Sequence, residues 1–431
     1  MNSTPLNLLD ELYLNLDRRQ EPWVVHLEVR VTGRLEPDRL AAALAIAVAR
    51  HPIARARLAE SRSTDRQRRW EILDRLGEVP LHLARCDDEG ALAEVRERHF
   101  AFSPSLDVAP PFAPLLAHAP GGDALLLNIN HAAVDGIGAV RLMRSILRAY
   151  AGEDDPVPDV DPLAVRDVQS LAGAASATER MMRASALGWH ALRQAVPAAR
   201  VARKGADGRP AYGFAFVSLS PAETAAVAGR RASGTTVNDV LVAALAVAIG
   251  RWNAQHGSAA GRVTISMPVN LRPRGWRTEV VANFASYVTV SLASHQHDDL
   301  ARAITATGRQ TRAIKHYDLS GTVVDLLSAS AMLSVGARRR LQDAIPLSGD
   351  AVVDTASLSN LGVLDALPSL GEAGPVRAMW FSPPGRMPLG ASLGVLTVEG
   401  ALHVTLRYRH AQFDQDAATA FLWTFRDVLL S

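Results

Sequence analysis

The sequence has a single cysteine, Cys86, among its 431 residues. One cysteine excludes an intramolecular disulfide framework and a metal site built on clustered thiolates, and it is typical of a protein from a reducing compartment. The N-terminal stretch has early acidic residues and no cationic start before an apolar core, unlike a secretory signal. The longest aliphatic runs, 40–49 and 240–249, are about half a membrane span. We therefore expect a cytoplasmic protein without an integral membrane segment.

Neither sign of charge dominates, because 46 Lys and Arg residues stand against 44 Asp and Glu residues. A nearly balanced chain has no global field to attract nucleic acid, so we expect no nucleic-acid partner. The histidines are scattered, and the sequence has no HExxH, GxxxxGK[ST] or GxGxxG motif. These absences argue against a metal centre and the common nucleotide-binding loops. We expect no bound metal and no bound cofactor.

The length predicts two domains, and the hydrophobic periodicity gives both of them strands and helices. Alternation over 23–31 predicts a half-buried strand, and a helix follows over 37–50. The second half repeats this order with a strand at 212–219 and a helix at 235–252, and one further helix is predicted over 323–341. The pattern indicates an α/β (α+β sandwich) fold, with two sheet-plus-helix units that meet at a cleft.

The boundary between the two units is predicted from a change in composition. An acidic, Pro-rich stretch follows Tyr150, and a segment rich in Ala and Arg comes after it. We place the first half at 1–165, a crossover linker at 166–208 and the second half at 209–431.

The stretch that carries the chemistry is 125–150, with the sequence LLLNINHAAVDGIGAVRLMRSILRAY. It begins as a buried strand and continues as an amphipathic helix, and His131 and Asp135 lie at the joint between them. Side chains at such a joint are fixed by two rigid elements and stay accessible. Gly136 opens the helix, and Asn130 points to the opposite strand face from His131, so we interpret Asn130 as a supporting residue.

His131 and Asp135 each have a functional and a structural interpretation. An imidazole at a partly desolvated strand end is suited to take a proton from an alcohol or amine, although hydrogen bonding at a sheet end also explains a histidine. Asp135 occupies the N-cap position of the helix, which contributes about 1 kcal/mol. Its functional role would be that of an orienting anion.

Later strand ends offer further polar candidates. Arg272 follows a predicted strand and could meet Asp135 bidentately, although a solvated arginine is the simpler explanation. Asn270 precedes it, Asn283 begins the next predicted strand, and Ser359 with Asn360 lies near a turn. A hydroxyl and an amide there can polarise a carbonyl or satisfy the backbone. We take Asn270, Asn283, Ser359 and Asn360 as candidate substrate-binding residues.

The stretch NHAAVDG (130–136) resembles the HHxxxDG signature of the condensation-domain superfamily of thioester-dependent acyltransferases. That superfamily includes peptide-synthetase condensation domains, bacterial wax ester synthases, polyketide-associated acyltransferases and the plant BAHD enzymes with an HxxxD motif. Further matches follow in the order of the family. They are Leu9-Asp10 with Leu12-Tyr13, Arg50-His51-Pro52 with Arg55-Ala56-Arg57, Thr236-Val237-Asn238-Asp239-Val240, Met267-Pro268-Val269-Asn270-Leu271-Arg272 and Ser359-Asn360-Leu361-Gly362.

The resemblance implies two chloramphenicol-acetyltransferase-like domains in a V-shaped pseudo-dimer, with an active-site tunnel at their interface. By this analogy His131 is the catalytic base, Asp135 is a structural anion paired with Arg272, and transfer is direct, without an acyl-enzyme. Two departures are visible: Asn130 replaces the first His, as in the HxxxD branch, and the DFGWG element of the plant branch is absent. We expect no appended carrier or adenylation module.

The sequence thus predicts a stand-alone acyltransferase that forms an ester or amide in natural-product or lipid biosynthesis. The co-substrate would be acyl-CoA or a phosphopantetheinyl thioester on an acyl or peptidyl carrier protein. The acceptor would be a small-molecule alcohol or amine. The cluster Arg272, Arg274 and Arg277 could meet phosphates of the donor, and we expect a monomer. Two rival hypotheses are a non-catalytic condensation-like recruitment module and a thioester hydrolase.

Overall fold

The computed structural model describes residues 2–19, 21–156, 159–194, 197–209, 212–259, 261–343, 353–364, 366–385 and 391–431. In these residues the chain forms a three-stranded, a five-stranded and a six-stranded sheet, with helices packed against them. In chain order the strands are β1 (Asn2–Pro5), β2 (Val24–Val31), β3 (Ala56–Leu58), β4 (Arg69–Ile72), β5 (His82–Arg85), β6 (Phe112–His118), β7 (Ala124–Asn130), β8 (Tyr212–Leu219), β9 (Val263–Asn270), β10 (Ala285–Leu292), β11 (Ala356–Val363), β12 (Val376–Ser382), β13 (Ala391–Val398) and β14 (Ala401–Arg409). The helices are α1 (Leu8–Leu16), α2 (Pro37–Arg50), α3 (Glu89–His99), α4 (Gly136–Ala151), α5 (Val168–Ala172), α6 (Ala177–Gln194), α7 (Pro221–Gly229), α8 (Val237–Gln255), α9 (Leu300–His316), α10 (Thr322–Ala329), α11 (Val335–Asp343) and α12 (Gln415–Leu430).

The five-stranded sheet has the order β12-β2-β7-β6-β5 and carries the 125–150 stretch in its centre. Strand β7 lies antiparallel to both β2 and β6, and its last residue, Asn130, pairs with Val24. Helices α2 and α4 cover one face of this sheet with aliphatic side chains. Because β7 is buried along its whole length, the joint that follows it is held firmly.

The six-stranded sheet has the order β10-β9-β11-β13-β14-β8 and forms the core of the second half. Helix α8 packs in this core together with residues of α9 and α12. Among the described residues, α8 is the one helix whose length and composition would suffice to cross a membrane, and 78% of its most apolar window is buried inside the protein. That burial is the pattern of a core helix.

The second half contributes one strand to the sheet of the first half. Strand β12 lies in the range predicted as the second half, yet it pairs antiparallel with β2 in the five-stranded sheet. Residues 280–284, between β9 and β10, also pack into the core beneath that sheet. The predicted boundaries at 165 and 208 stay a prediction, and the contacts across them create the site described below.

Two details of the predicted elements are wrong. Strand β2 is buried on both faces, not on one, because its polar side chains meet ion-pair partners: Glu28 binds Arg96 of α3 at 2.5 Å, and Arg30 binds Glu89. The single helix predicted over 323–341 is divided into α10 and α11 by the turn at 330–334. That turn contains no Pro or Gly, so the sequence does not indicate the break.

Candidate active site

His131 follows the last residue of β7, and its backbone is held from both sides. Its N–H donates to the carbonyl of Trp23 at 3.0 Å, and its carbonyl accepts a hydrogen bond from Asn283 Nδ2 at 2.9 Å. Trp23 precedes β2, and Asn283 precedes β10. The position of the imidazole is therefore fixed by elements of both halves.

The imidazole of His131 is buried but not satisfied by hydrogen bonds. The ring of Tyr13 packs against it, with the ring centroids 4.3 Å apart. Nδ1 is inaccessible and has no partner among the described residues. Burial lowers the pKa of His131 to about 4, against smaller opposing effects of its own backbone and of the Asp135 carboxylate. The ring is therefore neutral at pH 7, as a general base must be.

Asp135 uses both carboxylate oxygens for structural contacts. Oδ1 caps α4 by accepting from Gly138 N at 2.8 Å, and Oδ2 accepts from Phe284 N at 2.8 Å. Arg272 adds a bidentate pair, with NH1 to Oδ2 at 2.7 Å and NH2 to Oδ1 at 3.0 Å. Both side chains of this pair are almost completely buried. Asp135 thus joins α4 to the segment 272–284.

Arg272 is also bound by groups other than Asp135. NH2 donates to the carbonyls of Val280 and Ala282, and NH1 donates to Asn270 Oδ1 at 3.1 Å. The guanidinium lies over the ring of Phe284, 4.5 Å from its centroid. Arg272 is therefore not available for a donor phosphate. Of the predicted cluster, Arg277 lines the cavity described next, and Arg274 does not.

A cavity of about 710 Å³ lies where the two halves meet, and His131 is part of its wall. Its lining is mixed, with apolar residues from α1, β9, β10 and β12 beside isolated polar groups. Ser359 and Asn360 on β11 line it, as does Asn270 at the end of β9. A pocket of this size and mixed character is typical of a site for a small organic substrate.

The polar candidates differ in how free their side chains are. Asn270 is occupied, because Nδ2 donates to the Arg277 carbonyl while Oδ1 accepts from Arg272. Within the described chain, the Ser359 hydroxyl has no hydrogen-bond partner, and the Asn360 amide uses only Oδ1, which accepts from Gly362 N. The Ser359 hydroxyl and Asn360 Nδ2 are thus the donors available to a bound molecule.

Asn283 and Asn130 are placed behind the cavity wall and do not line it. Asn283 is fully buried, and its amide serves the His131 carbonyl. Asn130 Nδ2 donates to the Pro104 carbonyl at 3.1 Å, and its Oδ1 accepts from Ala132 N at 3.0 Å. Both asparagines shape the turn that presents His131, and a substrate in the cavity does not reach Asn283.

Gly136 lines the cavity at the start of α4. A Cβ at this position would lie 2.9 Å from Leu361 Cδ2 and 3.1 Å from Phe381 Cε2. Leu361 and Phe381 come from β11 and β12 and line the same cavity. The glycine therefore allows the second half to approach the helix that follows His131.

Sequence reasoning did not assign roles to the aromatic residues around His131. Tyr13, Trp23 and Phe381 all line the cavity, but they are far from His131 in the sequence. Tyr13 was visible only as part of a motif near the N-terminus. Among the described residues, no three His, Cys, Asp or Glu side chains are placed to hold a metal ion.

Comparison with known proteins assigns the fold and the family. The family described as Condensation domain matches residues 12–322. The uncharacterized proteins Rv2305 and MT2362 of Mycobacterium tuberculosis (strains ATCC 25618 / H37Rv and CDC 1551 / Oshkosh) are each 38% identical to this chain over 434 residues, covering 99% of this chain and 99% of theirs.

Solved structures with this fold come from peptide synthetases. The first condensation domain of the calcium-dependent antibiotic synthetase, in complex with substrate analogue 2a, superimposes with a TM-score of 0.72 at 17% identity, covering 100% of this chain and 96% of that one. The EpoB cyclization-docking bidomain from Sorangium cellulosum has a TM-score of 0.68 at 17% identity, with 99% and 85% covered.

A third structure is a mutant of the starter condensation domain of rhizomide synthetase RzmA, in complex with C8-CoA and Leu-SNAC. It has a TM-score of 0.67 at 14% identity, and 99% of this chain and 94% of that one are covered. These similarities confirm the predicted two-lobed, chloramphenicol-acetyltransferase-like fold. Because the family matches most of the chain and the fold agrees with it, this protein belongs to the condensation domain family.

Proposed function

We propose that this protein transfers an acyl group from a CoA or carrier-protein thioester to an alcohol or amine, with His131 as the general base. Membership of the condensation domain family supports a transferase of the condensation type. The observation that supports the finer proposal is a neutral imidazole in the wall of an interfacial cavity. Because Nδ1 is buried, Nε2 is the nitrogen that can meet a substrate.

The proposed reaction is a direct transfer. His131 Nε2 takes the proton of the acceptor hydroxyl or amine while the acceptor attacks the thioester carbonyl. The C–S bond then breaks, and the proton passes from the imidazole to the departing thiolate, which leaves as a free thiol. Ser359 Oγ–H and Asn360 Nδ2–H are the cavity donors proposed to stabilise the carbonyl oxygen as it becomes negative. Asp135 and Arg272 hold the frame and touch no reacting atom.

The apolar part of the cavity favours an acyl chain as one of the substrates. One structural neighbour was crystallised with C8-CoA and Leu-SNAC, which supports a thioester donor and an amine acceptor as members of the first panel to be tested. Arg277 and Lys315 line the cavity, and neither side chain has a partner among the described residues. They are the cations proposed for donor phosphates. A cytoplasmic location and a monomeric state stay predictions.

The test is thiol release from a panel of acyl-CoA and phosphopantetheinyl thioesters, with and without pooled alcohols and amines. Release that requires an acceptor, together with an acylated acceptor found by mass spectrometry, supports the proposal. Free acid formed at the same rate without acceptor would favour the hydrolase. Tight binding of a protein partner with no turnover of any thioester would favour the recruitment module.

We expect kcat/KM for acyl transfer to be flat between pH 5 and pH 8. The pKa of a free histidine is about 6.5. Burial lowers the pKa of His131 to about 4, so the fraction of neutral imidazole barely changes in this range. The measurement uses a non-ionising alcohol acceptor and a mixed constant-ionic-strength buffer. An acid limb with a midpoint between pH 6 and pH 7 would show that His131 is solvated in the free enzyme.

A further inference from the structure

We propose that Tyr13 is the positioning residue of the His131 base: its ring keeps water from one face of the imidazole and fixes the orientation of Nε2 toward the cavity. The inference rests on the proposed function, because it concerns how the base is kept ready. Tyr13 does not act on the substrate's reacting atoms in this proposal. It acts through His131.

The placement of Tyr13 is rigid because α1 is anchored at its start. Asn7 caps this helix in a reciprocal capping box with Asp10, and Asp10 is bound by Trp70 Nε1 and by the guanidinium of Arg166. Asn7 Nδ2 also donates to the carbonyl of Asn283 at 2.9 Å, and the Asn283 side chain holds the His131 carbonyl. One helix therefore fixes the backbone of His131 and the ring that covers its side chain.

Tyr13 is held at its other end by its hydroxyl, which donates to the carbonyl of Ala285 at 2.6 Å. Burial raises the pKa of Tyr13 above its ordinary range, so the hydroxyl remains a donor. The ring of Trp23 stacks on that of Tyr13, with ring centroids 6.2 Å apart and planes inclined by 17°. Tyr13 thus contacts both Trp23 and His131 through its ring, and all three residues line the cavity.

The charged groups around His131 do not account for its low pKa. The Asp135 charge acts on the ring, and it would raise the pKa. It is compensated by Arg272, which binds it from the 272–284 segment. From α1, the residue in contact with the imidazole is the neutral Tyr13. The low pKa of His131 therefore comes from the exclusion of water, and the Tyr13 ring, in contact with the imidazole, is the part of that shield which the proposal concerns.

The experiment compares Tyr13→Ala with Tyr13→Phe in the full-length protein. Tyr13→Ala admits water to the ring, and the His131 pKa should rise toward about 6.5. We expect kcat/KM to acquire an acid limb, so that its value at pH 5.5 is about tenfold below the plateau at pH 8. Tyr13→Phe keeps the ring that covers the imidazole, so its kcat/KM should stay independent of pH in this range. The loss of the hydrogen bond to Ala285 can lower kcat without changing that pH profile.

A second readout does not need activity. In protein labelled with 13Cε1-histidine, the His131 signal is assigned by its loss in His131→Ala and titrated in wild type, Tyr13→Phe and Tyr13→Ala. A raised midpoint in Tyr13→Ala alone supports the proposal. Equal titration midpoints in all three would overturn it and leave Tyr13 as a packing residue. If Tyr13→Ala does not fold by circular dichroism, Tyr13→Leu, which has no ring to cover the imidazole, takes its place.

The two proposals fail in different ways. If wild type shows His131-dependent acyl transfer and no Tyr13 variant changes the pH profile, the positioning role is wrong and the proposed function stands. If the titration midpoint of the His131 signal rises in Tyr13→Ala but no thioester is turned over, Tyr13 does shield His131 from water and the proposed reaction is wrong.

Discussion

Asp135→Ala is expected to lower the free energy of unfolding by about 3–5 kcal/mol, because it leaves the buried Arg272 without its counter-ion. The aspartate accepts four hydrogen bonds at 2.7–3.0 Å, two from Arg272 and one each from the backbone N–H groups of Gly138 and Phe284. Arg272→Ala should cost a similar amount, since it leaves a carboxylate in the same apolar surroundings. Urea unfolding followed by circular dichroism measures both.

The double variant tests whether Asp135 and Arg272 stabilise the protein as a pair. Asp135→Ala with Arg272→Ala leaves no unpaired charge, so we expect it to cost clearly less than the two single changes added together. Arg277→Ala is the matched control, because Arg277 lies on the same segment with an exposed side chain and no ion-pair partner among the described residues. Additive losses, or an equal loss in the control, would mean that the pair does not stabilise the junction between the halves.

Local structure was predictable where one segment carries its own signal. The bounds 37–50 for α2 and 212–219 for β8 follow from periodicity together with Pro37 and the loop before Tyr212. Ser220 with Glu223 forms a capping box at the start of α7, a pattern that the local sequence carries by itself, and Thr236 caps α8 in the same way. Asp135 was predicted both as an N-cap and as a partner of Arg272. The structure shows that one carboxylate has the geometry for both, because each oxygen accepts one hydrogen bond from a backbone N–H and one from Arg272.

What could not be predicted depends on contacts between distant segments. No pattern in 376–382 says that this strand pairs with β2. Strand β5 was missed because it is short, mostly exposed and pairs in parallel with β6, so it has no clear alternation. Asn283 was taken as a substrate-binding residue, yet its amide faces His131 from behind. The sequence shows which residues are polar near a strand end, but tertiary packing decides which of them reach the cavity.

His131→Ala is expected to reduce acceptor-dependent thiol release by about 10²–10⁴-fold, the contribution typical of a positioned general base. The folded state should survive, because the imidazole has no hydrogen-bond partner for its buried Nδ1 and borders a cavity that can take up the lost volume. The effect should therefore fall on kcat, with little change in the urea midpoint, in contrast to the Asp135 and Arg272 variants. Thiol release and urea unfolding on the same preparations check both statements.

His295→Ala is the control, since it removes an exposed imidazole that does not line the cavity. Added imidazole offers a sharper test, because a small base can enter the space vacated in His131→Ala and restore part of the rate in proportion to its neutral form. Rescue would assign proton transfer to the missing ring, not only a role in cavity shape. If His131→Ala keeps most of its turnover, the acceptor proton must leave by another route. The neutral, aromatic-covered imidazole would then be a structural feature of the turn between β7 and α4.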